Sequence, residues 1–594
     1  MHIHNIIQEA AAAAFQKLYD VETDPQTLQV QETRKEFEGD YTLVVFPLTR
    51  HSHKSPEQTA TDVGEQLIKL NEIETYSVAK GFLNLTIAQS FWHSYLKEAI
   101  AEKDLPGFAK PEQPKTIMVE YSSPNTNKPL HLGHIRNILL GYSIAEILKA
   151  RSHNVIKANL VNDRGIHICK SMLAWQKFGE GKTPESEGIK GDHFVGDYYV
   201  VYNTEYQKEM QHMIREGAAP EEAERNAPIQ QEARKMLSDW ERNDPQVRQL
   251  WETMNGWVYE GFEKTYETLG VDFDKFYYES ETYLLGKELV LKGLEKGVFF
   301  KKEDGSIWVD LADEGLDQKL LLRADGTSVY ITQDLGTAQL KFDDYRLDQS
   351  VYVVGNEQDY HFKVLSLILK KLEHPVWDKI YHLSYGMVDL PTGKMKSREG
   401  TVVDADDLML EMFEVAEKYT RESGKLAHLE EDERQKLYRQ IGLAALKFFI
   451  LSVDPKKRMT FNPQASIDFQ GHTGPFIQYS YARIHSLLAK AKERGLASSE
   501  LPCPELHSFE IELIKLLYHF GDKLQEAETQ MSPAVIAEYG FELAKSYNKF
   551  YHELPILPEP DEQKRQFRLR LSEKVGTTLI NAMKLLGIEM PERM

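Results

Sequence analysis

Residues 120–150 read EYSSPNTNKPLHLGHIRNILLGYSIAEILKA. A β-branched and apolar run, Thr116-Ile117-Met118-Val119, leads into this stretch. A polar loop of Ser, Pro, Asn and Lys follows. Beyond it, Ile135, Ile138, Leu139, Tyr142 and Leu148 fall at helical spacing. Strand, polar turn and helix in that order make a unit suited to phosphate, because a helix start presents free N–H groups and a partial positive charge. His131 and His134 stand at that start, three apart, and can point the same way. Gly133 between them leaves room for a nucleotide to lie against the backbone.

Working outward, 594 residues are too many for one core, so two to four domains are expected. Hydrophobic and charged contents of 41% and 27% describe an ordinary globular protein. The formal net charge of −21 opposes non-specific nucleic-acid binding, so any RNA contact must use local basic patches. Two cysteines, Cys169 and Cys503, exclude a disulfide framework and a Cys-rich zinc site. The first residues, MHIHNIIQEAAAAAFQKL, resemble an amphipathic helix rather than a signal peptide. No run is apolar for long enough to span a membrane as a helix, and a cytoplasmic location is expected.

Residues 1–112 read as a small α+β module, with a helix over Ile3–Tyr19 and strands at 42–46 and 83–87. Pro106, Pro111 and Pro114 punctuate the boundary to a second domain, 113–396. Its strands alternate with helices: 116–119, 155–161, 351–354 and 383–388. That pattern implies a doubly wound parallel sheet of the Rossmann type, with ligands at the carboxyl ends of the strands. Residues 176–250, rich in Glu, Lys, Gln and Asp, read as a helical insertion. From 397 to 594 the pattern is helical, with runs at 407–420, 431–451, 475–494, 510–527 and 532–551, and implies an all-α bundle.

An HxGH tetrad alone equally fits two histidines capping an ordinary helix. Context strengthens it: a strand before, a helix after, and a second cationic loop, DLPTGKMKSREGT (389–401), following a later strand. Such a loop can close over a triphosphate and offset charge on the leaving pyrophosphate. Taken alone, it equally fits a solvated surface loop.

Together the two motifs resemble the HIGH and KMSKS signatures of class I aminoacyl-tRNA synthetases. EYSSPNTNKPLHLGH, TSVYITQDLG (327–336), GNEQDYH (355–361) and HTGPFIQYSYAR (472–483) resemble the arginyl-tRNA synthetases in order and spacing, over almost the whole chain. The resemblance implies ATP-dependent activation of L-arginine and transfer to the 3′-terminal adenosine of tRNA(Arg). It implies Mg²⁺ with the ATP, no metal held by the protein itself, and a monomer. The family typically needs tRNA to activate its amino acid.

Carried onto this sequence, the resemblance places Glu120 and Asp334 against the arginine side chain. Ser122, Asn125, Tyr330 and Gln358 complete that pocket. A guanidinium suits planar carboxylate acceptors. Such a site rejects analogues lacking the matching groups by about four to five powers of ten. Pro129, His131, Gly133 and His134 would face ATP, with Met395, Lys396 and Ser397 from the loop. His131, His134, Lys128, Lys394 and Lys396 would be the catalytic groups, acting by positioning and charge stabilisation.

One departure stands out. The loop reads Lys394-Met395-Lys396-Ser397-Arg398, with Ser397 where KMSKS has its second lysine. Arginyl enzymes lacking that lysine carry one just before the HIGH motif, and Lys128 matches it. In the helical part, Tyr481, Arg483 and Lys490, near Phe476 and Tyr479, are candidates for tRNA, as is the run Lys564, Arg565, Arg568 and Arg570. For most of these side chains a core and its solvated face is the preferred reading. Three rivals remain at this stage: a class I lysyl enzyme, a small-molecule nucleotidyltransferase, and a silent tRNA-binding paralogue.

Overall fold

The computed structural model describes residues 2–34, 36–101, 113–389, 403–423, 429–496 and 501–594. The chain forms two compact units: Met1–Gly107 with Arg483–Gly521 and Leu543–Thr578, and Phe108–Ala482 with Asp522–Glu542 and Leu579–Met594.

The larger unit is organised by a five-stranded parallel sheet. Across the sheet the strands run Ile380–Tyr385, Gln349–Gly355, Thr116–Glu120, Asn154–Val161 and Lys275–Tyr278. The chain enters at the middle strand, builds to one edge, then returns to build the other side. The order therefore reverses beside Thr116–Glu120, a switch point where doubly wound sheets bind ligands. Ile117, Met118 and Val119 are all buried, as a parallel strand covered on both faces requires.

The helix Leu132–Ala150 lies over the sheet and is buried almost all round, from Ile135 and Asn137 to Ser143 and Leu148. Its close approach needs Gly141, where a Cβ would stand 2.3 Å from the Tyr121 Cβ. The helical insertion is wider than the expected 176–250. Helices Ile166–Phe178, Gly191–Arg215, Pro228–Glu241 and Pro245–Leu269 fill the connection between two adjacent strands. A small antiparallel sheet, Phe299–Lys301, Ile307–Val309 and Lys319–Leu322, was not foreseen; its buried residues form a core with the helix Tyr330–Tyr345.

The smaller unit contains a four-stranded antiparallel sheet, ordered Val30–Glu32, Tyr41–Val44, Phe82–Ile87, Ile73–Ala79. Chain-end segments meet here. The Ile3 N–H donates to the Tyr518 hydroxyl at 2.7 Å, and Lys574 Nζ donates to the Ala99 carbonyl at 2.5 Å. The strand expected over 42–46 stops at Val44, because Phe46-Pro47-Leu48 turns into a 3-10 helix. The run 510–527 is two helices, Ser508–Tyr518 and Phe520–Gln530.

Candidate active site at the sheet switch point

His131 caps the helix Leu132–Ala150 from an extended backbone conformation. The Gly133 N–H donates to His131 Nδ1 at 3.1 Å, and the His131 N–H donates to His134 Nδ1 at 3.2 Å. Both Nδ1 atoms thus act as acceptors, which puts each ring proton on Nε2. Burial, then the nearby Lys128 charge, lowers His131 to about 4. Burial, then the His131 and Lys128 charges, pushes His134 further below its usual value. At neutral pH the pair are neutral imidazoles with Nε2–H donors, their centroids 3.9 Å apart. Lys128 is half-buried, and burial lowers its ammonium below the usual lysine range.

A cavity of about 370 Å³ opens beside this start, lined by Asn125, Lys128, Pro129 and His131 of the motif and by His167, His193 and Tyr199 of the insertion. Pro129 packs on Gly196 of the insertion, where a Cβ would approach its Cδ to 2.8 Å.

Lys394, Met395, Lys396, Ser397 and Arg398 lie outside the described residues. The flanks of their loop are described, and both are anchored at the same helix. On the exit side, the Leu132 N–H donates to the Val403 carbonyl at 3.1 Å and the Ala405 N–H to the Leu130 carbonyl at 3.0 Å. On the entry side, Val388–Asp389 pairs in parallel with Met459–Thr460. Arg136, fully buried on the same helix, donates to the Pro455 carbonyl at 3.1 Å and the Lys457 carbonyl at 2.8 Å.

The expected amino-acid residues divide into two groups. Tyr330 and Asp334 sit on one face of the helix Tyr330–Tyr345, one turn apart. Tyr330 is 81% exposed. The Asp334 side chain is 36% exposed and carries His361 on its Oδ2. Gln358 is exposed at the end of the strand Gln349–Gly355, and Asn125 is exposed in the signature loop, bridged to Asn162. By contrast, Glu120 and Ser122 are buried. Glu120 Oε2 is paired with Lys341, and the Ser122 hydroxyl is bonded to Tyr266 at 2.7 Å. Ser122 thus serves the packing of the loop rather than the open rim.

Glu279 was missed in the sequence. It follows the strand Lys275–Tyr278 at its carboxyl end, and burial raises its carboxyl to about 7, opposed by Arg164 and reinforced by the charges of Asp163 and Asp334. The charge of Asp334 reaches it, a proximity that sequence spacing does not disclose. Asp163, in the motif NDRG, is structural: it accepts from the Ser280 N–H at 2.8 Å and the Tyr259 hydroxyl at 3.0 Å.

Asp192, His193 and Asp406 place ligand atoms within 4.8 Å of one another. The Lys190 ammonium already stands among them, 2.5 Å from Asp406 and 3.2 Å from Asp192. A hard dication that prefers oxygen ligands and a near-octahedral shell is a poor fit there.

In the basic run of the last helix, Lys564, Arg565 and Arg570 are half-buried and only Arg568 is buried. Arg568 donates to Glu510 at 2.8 Å and Glu559 at 2.7 Å. Arg483 is half-buried against the Tyr551 ring, Tyr481 is half-buried, and Lys490 is exposed.

A parallel sheet whose switch point carries a paired-histidine helix start, with Val403 and Ala405 bonded at that same start, fits the class I tRNA synthetases. Residues 95–462 match the family model "tRNA synthetases class I (R), catalytic domain", residues 1–87 the arginyl-tRNA synthetase N-terminal domain, and residues 477–594 the DALR anticodon binding domain. The chain belongs to the arginyl-tRNA synthetase family. It is 54% identical over 598 residues to the arginine–tRNA ligase of Porphyromonas gingivalis, and 54% identical over 598 residues to that of Bacteroides thetaiotaomicron, each pair covered in full. The fold is that of the Thermus thermophilus arginyl-tRNA synthetase, with a TM-score of 0.78 at 24% identity over 100% of both chains. The Plasmodium falciparum enzyme superposes with a TM-score of 0.75 at 19% identity, covering 100% of this chain and 99% of that one.

Proposed function

We infer that this chain is an arginine–tRNA ligase. ATP and L-arginine give arginyl-adenylate and pyrophosphate. The arginyl group then passes to the terminal adenosine of tRNA(Arg), releasing AMP. The observation that carries this reading is the His131–His134 pair at the start of the helix that follows the central strand, beside a cavity of about 370 Å³. The full-length relatives support it.

In the first step the arginine carboxylate attacks the α-phosphate and the bond to pyrophosphate breaks. The Nε2–H groups of His131 and His134 donate to phosphate oxygens as charge shifts to the leaving group. Pro129 and Gly133 line the nucleotide's path. Lys128 supplies the cation missing at Ser397, with Lys394 and Lys396 assisting and Met395 beside them. Anchorage of both loop flanks on the signature helix supports this division of labour. Mg²⁺ arrives with ATP rather than in a cage of protein ligands.

At the other end, Glu120 and Asp334 face the guanidinium, with Glu279 as a further acidic neighbour of Asp334, and Asn125, Tyr330 and Gln358 hold the rest of the amino acid. Residues 1–112 dock the tRNA, 113–396 carry the chemistry, and 397–594 read the anticodon, with Tyr481, Arg483 and Lys490 as contacts. The enzyme works as a cytoplasmic monomer. Purified chain, labelled arginine and tRNA(Arg) test the reading: charging with arginine and not lysine is expected. Charging with lysine overturns the specificity, and tRNA binding without charging points to a silent paralogue.

A further inference from the structure

Lys341 is a buried charge that the reaction as described does not use. It lies seven residues beyond Asp334 on the helix Tyr330–Tyr345, on the same face and about 10 Å deeper. Its side chain is 1% exposed, and that of its partner Glu120 is 6% exposed. Tyr352, opposite Glu120 in the sheet, holds its ring 4.3 Å from the ammonium. The Tyr277 ring stands at 6.0 Å, and its hydroxyl donates at 2.9 Å to Asp344 on the lysine's own helix. Burial pulls the ammonium down, but the Glu120 charge and Tyr352 override it and hold the lysine above its ordinary value.

Stability alone does not account for such a pair, since a well-packed apolar pair in its place is often as stable or more so. Its location is more telling: Glu120 ends the central strand at the switch point, below the face that carries Asp334 and Tyr330. We propose that Lys341 is a positioning residue for the amino acid. By engaging Oε2 of Glu120 it fixes the orientation of that carboxylate and leaves Oε1 for a cationic group of the bound arginine. The inference rests on the reading of Glu120 as an arginine contact.

Without the lysine, a buried carboxylate takes up a proton more readily and loses its fixed orientation. Pyrophosphate exchange in the full-length enzyme with tRNA reads this out, using Lys341→Met, Lys341→Arg, Glu120→Gln and the double variant Lys341→Met/Glu120→Gln. Lys341→Met is expected to raise the arginine KM roughly tenfold or more, to leave the ATP KM in place, and to make the arginine KM fall as pH rises. Lys341→Arg restores most of the loss. The double variant, which buries no unpaired charge, should match Glu120→Gln alone, because Lys341 acts only through Glu120. That comparison holds even where Lys341→Met fails to fold. A double variant markedly worse than Glu120→Gln overturns the proposal, as does a Lys341→Met enzyme with an unchanged arginine KM. Glu120→Gln with an unchanged arginine KM instead overturns the reading of Glu120 itself, and the proposal with it.

Discussion

At the phosphate end of the site, His131 and His134 are pinned by backbone N–H groups, half-buried and uncharged. At the amino-acid end, Tyr330, Asp334 and Gln358 stand open on the rim, and Glu279 carries a carboxyl raised to about 7 by burial and by its acidic neighbours. The two rings are oriented before a ligand arrives, because one backbone N–H group sets the tautomer of each. The second end brings Glu279 within the electrostatic reach of Asp163 and Asp334, with Arg164 and His361 as basic neighbours. In the proposed reaction, preorganised donors serve the transition state and the carboxylates serve selection of the substrate.

The sharpest way to break this contrast is at Asp334. Asp334→Ala should lower kcat/KM for arginine by about a thousandfold, on the order of 4 kcal/mol, with ATP binding kept. A loss shared equally by ATP and arginine would mean that the carboxylate holds the fold and not the guanidinium. His134→Ala should instead lower kcat by about a hundredfold and leave the arginine KM nearly unchanged. Lys128→Ala should slow adenylate formation by about tenfold to a hundredfold in single-turnover assays; a wild-type rate rules out its compensating role.

The smallest effect is the most diagnostic, because it separates the two ends by pH. A bound guanidinium favours the ionised form of Glu279. Arginine affinity should therefore rise as pH rises through about 7 and weaken as pH falls. Binding of ATP should be flat over about pH 6 to 8, because His131, at about 4, is neutral throughout. Glu279→Gln should flatten the arginine profile and cost several-fold in affinity at pH 8. Parallel pH profiles for the two substrates would remove the contrast.

What could be read from the sequence follows the same line. The phosphate end is local: strand, loop and helix start occupy one continuous stretch, and the Nδ1 contacts join residues at most three apart. The parallel sheet was legible from its alternation, though not the extent of the insertion. The amino-acid end is assembled across the fold, and there the sequence gives less. Glu279 gains meaning only when its strand is placed at one edge of the sheet, and Lys341 only when its helix face is known. Ser122 has a φ of 75° and a side chain bonded to Tyr266, a partner that loop composition does not disclose. In the basic run at 564–570, Arg568 pairs with Glu510 and Glu559, partners set by tertiary packing. Likewise the Lys574–Ala99 contact joins segments that the sequence assigned to different domains.

One measurement bears most directly on the central claim that the neutral histidine pair and the acidic pocket serve a single reaction. ATP–pyrophosphate exchange should be run with each amino acid in turn, with and without tRNA(Arg). Exchange that depends on arginine alone, and on the tRNA, is the predicted result. Exchange driven by lysine, or none with arginine and tRNA both present, would contradict it.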